Sequence, residues 1–307
     1  MERQKADNLM QWATRGAVTV AATLVITKAY SWWLSDSVSM LGSLTDSALD
    51  LAASIVTLLA VKAAISPADH DHRFGHGKAE ALAGLFQAAI MAGSALFLLL
   101  EAVGNIWNPV PMKETGLVIQ VSALAIVMSI ALVAFQAFVV RKTKSLAIAG
   151  DHLHYRGDLL MNLGVIGAAY TSTLGWQYAD GIFGVLIAGY ILFGSYEIVK
   201  PAIHMLMDRE LPDEDREAIF NMALGNPDVR GMHELKTRLS GRDVFIQMHI
   251  EVDSKMTVKD AHFVSSEVEA MIGEAYPDAE ILIHVDPPSE KSVDLTVREL
   301  RNIGDAS

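Results

Sequence analysis

Apolar residues gather in six long blocks ahead of position 208, over residues 16–34, 37–65, 79–107, 115–140, 146–174 and 181–207. A helix needs about 20 such residues to cross the hydrocarbon core of a bilayer, so each block predicts one span. Turn-forming or charged stretches at 66–69, 108–111, 141–144 and 175–178 separate several of them. Beyond Asp208 the pattern changes. Residues 212–224 open on an acidic first turn, as a helix start does. Residues 229–239 read as a strand. Val244, Ile246, Met248, Ile250 and Val252 alternate with polar neighbours as a half-buried strand does. Residues 257–275 have helical spacing and 279–285 read as a last strand. The expected architecture is a six-helix transmembrane domain (1–208), an α/β domain of order αββαβ (209–290) and a C-terminal tail (291–307).

Charge sharpens this division. Of a net −12, residues 1–208 carry 13 basic and 15 acidic groups, whereas 209–307 carry 11 and 21. The whole-chain mean hydropathy of +0.30 therefore owes to the apolar first part, and the acidity to the second. Basic residues near the span ends, Arg3, Lys5, Arg73, Lys78, Arg141, Lys142 and Lys144, lie on one side, against Lys113 on the other. The positive-inside rule then predicts cytoplasmic N- and C-termini. The first block is too long for a cleavable signal, and no small-residue cleavage site follows Trp32-Trp33. The acidic balance argues against a nucleic-acid partner, which would need basic patches for phosphates. No cysteine is present, so a metal would be held by nitrogen and oxygen donors.

Ionisable groups inside spans are costly and mark function by default. The second span contains Asp46 and Asp50, the fifth His154 and Asp158, each pair spaced so that both side chains share one helix face. Facing each other, the two helices would offer one imidazole and three carboxylates, a donor set for a tetrahedral divalent cation. Between the second and third spans the sequence runs Asp69-His70-Asp71-His72-Arg73-Phe74-Gly75-His76-Gly77-Lys78-Ala79-Glu80. Asp69, His72 and His76 could close on one ion; a solvated loop rich in histidine is the plainer reading. The last part adds His233, His249, His262, His284 and Asp286. His249 falls on the strand face opposite the apolar set, and His284 and Asp286 share a face.

With these residues the sequence resembles the cation diffusion facilitator family of metal/proton antiporters, especially its bacterial zinc exporters of the YiiP type. The resemblance is carried by Leu44-Thr45-Asp46-Ser47-Ala48-Leu49-Asp50, Phe74-Gly75-His76-Gly77-Lys78-Ala79-Glu80, His154-Tyr155-Arg156-Gly157-Asp158 and His284-Val285-Asp286, in this order along six spans and an acidic domain. It implies a transport site of Asp46, Asp50, His154 and Asp158 and a loop site of Asp69, His72 and His76. It further implies a binuclear site of His233, His249, His262, His284 and Asp286 in a metallochaperone-like cytoplasmic domain. A homodimer in the bacterial inner membrane, with Lys78 and Asp208 paired in a charge interlock, completes the implication. The cargo implied is Zn(II); Asp at position 46, where some members have His, goes with acceptance of Cd(II).

The energy source follows from what is missing. Gly75-His76-Gly77-Lys78-Ala79 lacks both the glycine spacing and the Ser/Thr of a phosphate-binding loop, so no nucleotide and no organic cofactor is expected. Protons compete with metal for carboxylates and imidazole, which makes them the expected counter-substrate. Two alternatives stand beside this reading: an exporter mainly of Fe(II), Co(II) or Mn(II), and a metal-sensing membrane receptor. An intramembrane enzyme is disfavoured, since no His-Glu-x-x-His occurs. His70, Asp71, Asp151, His152 and His204 receive no role from the sequence.

Overall fold

A computed structural model describes residues 2–35, 38–107, 115–174, 176 and 178–288. The expected linker 108–111, Lys113, Gly175 and Gln177 of the 175–178 turn, and the tail 291–307 lie outside the described residues. The chain divides into two compact units, Met1–Ile203 and His204–Ser307.

The first unit is built from α1 (Glu2–Ser35), α2 (Val38–Ala64), α3 (Lys78–Trp107), α4 (Thr115–Thr143), α5 (Leu146–Thr173) and α6 (Ala179–Leu206). Each answers to one apolar block. The clearest departure is at α1, which begins at Glu2 rather than residue 16. Its polar first turns are held by packing instead of hydropathy: Met10 and Ala13 are buried in a cluster with Val61 of α2, Ala83 of α3, Val139 of α4 and Ala147 and Ile148 of α5. Thr14 closes the same surface by donating its hydroxyl to the Met10 carbonyl at 3.1 Å.

By length and composition α1, α2, α3 and α6 are apolar enough to cross a membrane. Helix α5 is interrupted by Asp151, His154, Arg156 and Asp158, and it packs against α2, α3 and α4. Asp151 and His154 are buried there, Asp158 is half-buried and Arg156 is exposed. Large apolar side chains such as Ile26, Leu59, Phe97, Leu100 and Phe193 point outward, the inversion of a water-soluble fold that a lipid surround requires.

Small residues set the helix spacing. A Cβ at Gly84 of α3 would stand 3.0 Å from the Leu146 carbonyl oxygen of α5, and one at Gly150 would meet Gln87 at 3.0 Å. These glycines let α3 and α5 approach closely, as membrane helices do through small residues.

The second unit contains α7 (Asp213–Leu224), β1 (Gly231–Ser240), β2 (Asp243–Glu251), α8 (Val258–Ala275) and β3 (Ala279–Asp286). The predicted order αββαβ holds. The sheet order is β1-β2-β3, with β1 antiparallel and β3 parallel to the central β2. Ile246, Met248 and Ile250 of β2 pack with Ile219 of α7 and Val264, Val268 and Ile272 of α8, which leaves the other sheet face uncovered by these helices. Thr257 caps α8, its side chain accepting from the Asp260 amide.

A bulge interrupts β1. His233 pairs with His249 and Lys236 with Gln247, so Glu234 and Leu235 together oppose Met248. Glu234 takes the left-handed conformation, φ 50°, the usual device by which a strand absorbs one extra residue.

Candidate metal centre

Within the membrane unit, α2 and α5 bring Asp50, His154 and Asp158 together. His154 Nε2 lies 3.1 Å from Asp50 Oδ1 and 3.3 Å from Asp158 Oδ2. Asp158 sits one turn beyond His154 on the same face of α5, while Asp50 reaches in from α2. His154 is 7% exposed, so the imidazole is enclosed by the helices, while the Asp50 and Asp158 carboxylates are half-buried. An imidazole nitrogen held between two carboxylate oxygens is a nitrogen-plus-oxygen donor set suited to a divalent transition metal.

Asp46, the fourth residue expected there, is exposed on α2 one turn earlier, outside the three-residue cluster. Its neighbour Ser47 is buried and accepts a hydrogen bond from Lys28 Nζ of α1 at 2.7 Å. A second polar group adjoins the site on α5. The fully buried Asp151 accepts from Gln136 Nε2 of α4 at 2.6 Å and Ser54 Oγ of α2 at 3.3 Å. Tyr155 donates to the Ala17 carbonyl of α1 at 3.0 Å and lies 3.2 Å from Ser54 Oγ. This network ties four helices together beside the cluster. The sequence leaves Asp151 without a role, and neither Gln136 nor Ser54 carries a charge that would flag the network.

The loop between α2 and α3 gathers Asp69, His72 and His76. Asp69 Oδ1 accepts from the backbone amides of Asp71 and His72 at 3.0 and 2.7 Å. Its Oδ2 lies 3.2 Å from His76 Nε2. The His72 amide above all holds the Asp69 carboxyl below the usual carboxylate range. Residues 69–76 thus form a small turn whose shape and ligand set depend on the same aspartate. His70 and Asp71 remain exposed beside it.

On the uncovered face of the sheet, His233, His249 and His284 stand in one row across β1, β2 and β3. Asp286 reaches back to all three: Oδ2 lies 2.8 Å from His249 Nδ1 and 3.4 Å from His233 Nε2, and Oδ1 lies 3.2 Å from His284 Nε2. The His249 hydrogen bond is the main cause that holds the Asp286 carboxyl below the usual range. His233, His249 and Asp286 bring one donor atom each within 4.8 Å of one another.

His262 is exposed on α8 and does not join this three-residue cluster within one chain. Glu251, absent from the expected ligand set, does stand beside it: its Oε1 is 3.6 Å from His233 Nδ1. Strand periodicity signals it, two residues from His249 on the same face. Asp208 is paired within its own unit, its Oδ1 3.2 Å from Arg238 Nη1. Lys78 opens α3.

Residues 16–207 match the cation efflux transmembrane domain and residues 211–288 the cation efflux protein cytoplasmic domain. The cation-efflux pump FieF of Salmonella choleraesuis is 42% identical over 286 residues, covering 93% of this chain and 95% of that protein. FieF of Klebsiella pneumoniae is 41% identical over the same coverage. Among solved structures, the metal-bound C-terminal domain of the CzcD transporter from Thermotoga maritima is 36% identical, covering 24% of this chain and 87% of that one at a TM-score of 0.23. Fold, donor clusters and relatives together define a metal-cation efflux transporter of the membrane rather than an enzyme. The chain belongs to the cation diffusion facilitator family.

Proposed function

We propose that this chain exports Zn(II), and Cd(II) beside it, from the cytoplasm across the bacterial inner membrane in exchange for protons, by alternating access of a homodimer whose termini are cytoplasmic. The observation that carries this reading is the pair of short approaches from His154 Nε2 to Asp50 and Asp158 across α2 and α5. Three donors contributed by two separate helices can be assembled or drawn apart by a small relative movement of those helices, which is what a carrier site requires. All three are groups that take a proton when no metal is bound, so cargo and counter-ion exclude one another at the same atoms. Asp46, one turn from Asp50, is the fourth ligand supplied when the helices close further.

In this reading the loop cluster and the row of histidines hold zinc at the cytoplasmic side, the latter as a two-ion site completed by His284 and by His262 of a second copy of the chain. The cytoplasmic domain's net acidity concentrates cations near the entrance.

Zinc flux into proteoliposomes tests the core of the proposal. Asp50→Ala should abolish flux, and unchanged flux would remove the site assignment. Imposing a pH difference across the vesicle should change the zinc flux; flux indifferent to it would remove the proton coupling while leaving the site.

A further inference from the structure

The transport cluster has a neighbour of unusual chemistry. Met91 of α3 is buried, 4% exposed, and its Sδ lies 3.1 Å from Nδ1 of His154. A thioether has no hydrogen to donate and can only accept. With a metal on Nε2, the nitrogen that faces Asp50 and Asp158, the ring's remaining N–H is on Nδ1 and is directed at this sulfur. Nε2 itself is buried and flanked by the two carboxylates. The opposite tautomer would present an N–H to the metal and close the site.

We infer that Met91 is a positioning residue for transport: its sulfur accepts the Nδ1–H of metal-bound His154 and fixes the plane of the ring. The thioether is itself held in place. A Cβ at Gly157, between His154 and Asp158 on α5, would lie 3.2 Å from Met91 Cε and 3.2 Å from Ile191 Cδ1, so the glycine is the slot that admits the methionine. Ala88, Ala95, Leu153 and Ile191 complete the pocket. Metal-binding histidines ordinarily donate their second N–H to a carboxylate, carbonyl or water, and losing that partner costs about 10–100-fold in metal affinity or activity. Sulfur is a weaker acceptor, which places the expected effect near the lower end.

The inference rests on His154 being a ligand, and the test separates the two claims. Full-length chain in proteoliposomes is assayed for zinc flux. Met91→Leu, similar in volume but without an acceptor, should raise the zinc KM about 10-fold. Met91→Gln, whose carbonyl accepts, should restore it, which a merely space-filling role would not allow. A Leu variant with wild-type KM, or a Gln variant no better than Leu, would overturn the inference and leave the site intact. A zinc KM unmoved by His154→Ala would overturn the site assignment itself, and the inference with it.

Discussion

Gly231 and Glu251 are register partners on adjoining strands, and the glycine leaves the space in which the glutamate carboxylate lies: a Cβ at position 231 would stand 2.8 Å from Glu251 Oε2. The obstructed atom is the far end of a flexible side chain, so Gly231→Ala should move the carboxylate and leave the strand in place. We expect zinc affinity at the cytoplasmic cluster to fall about 10-fold, as it does when an outer partner of a metal-bound histidine is displaced. Calorimetric zinc titration measures this; unchanged affinity would reduce Glu251 to a bystander of His233.

The Asp151 network should matter for stability as well as for geometry. Gln136→Leu removes the 2.6 Å donor to a fully buried carboxyl group. A buried polar group left short of a partner costs about 1–3 kcal/mol. Tyr155→Phe, which loses one bond to the Ala17 carbonyl, should cost about 1 kcal/mol. Thermal unfolding in detergent gives the order of the two effects, and equal midpoints for both variants and wild type would contradict it.

Zinc stoichiometry should distinguish the clusters. Asp69→Ala deletes the acceptor of two backbone amides as well as a ligand atom, so both the turn and the loop site should be lost. Bound zinc per chain is expected to drop by one ion, with the clusters of the other unit and of α2 and α5 still loaded. A count that stays the same would show that Asp69 shapes the loop without holding metal.

Acid should act on the cytoplasmic unit through Asp286. Its carboxyl titrates below the usual range in the folded chain because His249 donates to it. The unfolded value is about 3.9. A group with a lowered native value stabilises fully above its unfolded value, and that contribution is lost as pH falls through the native one. Asp286→Asn should therefore lower Tm at neutral pH in metal-free chain, with the gap to wild type closing below about pH 4. A gap that persists unchanged to pH 3 would contradict this origin.

Most of the architecture was legible because its signals are local. Six blocks of apolar residues and the alternation in β2 are properties of neighbouring residues, and the helices and strands appear where those patterns end. The pairs Asp46/Asp50 and His154/Asp158 were equally readable, since i and i+4 share a helix face. What escaped depends on contacts distant in sequence. The start of α1 at Glu2 is set by Met10 and Ala13 packing on α2, α3, α4 and α5, which no hydropathy window contains. Met91 looks like any core methionine until α3 is placed against α5. His262 and Asp46 stand outside the three-residue clusters of a single chain, a placement that sequence spacing alone could not show, any more than it could show that Asp286 gathers three imidazoles at once.

The extra residue in β1 has a consequence for how this domain tolerates change. Side chains on a strand alternate faces with period 2, yet Met232 and Thr237, an odd number of positions apart, both lie buried and pair with core residues Ile250 and Ile246. The bulge at Glu234 and Leu235 resets the phase between them, and that reset is what turns His233 toward His249 instead of into the hydrophobic interior. A one-residue deletion there would leave the amino-acid composition almost untouched and still rotate the strand's first three residues onto the wrong side. Chain length at this point is thus as specific a determinant of the donor cluster as the identity of the histidine itself.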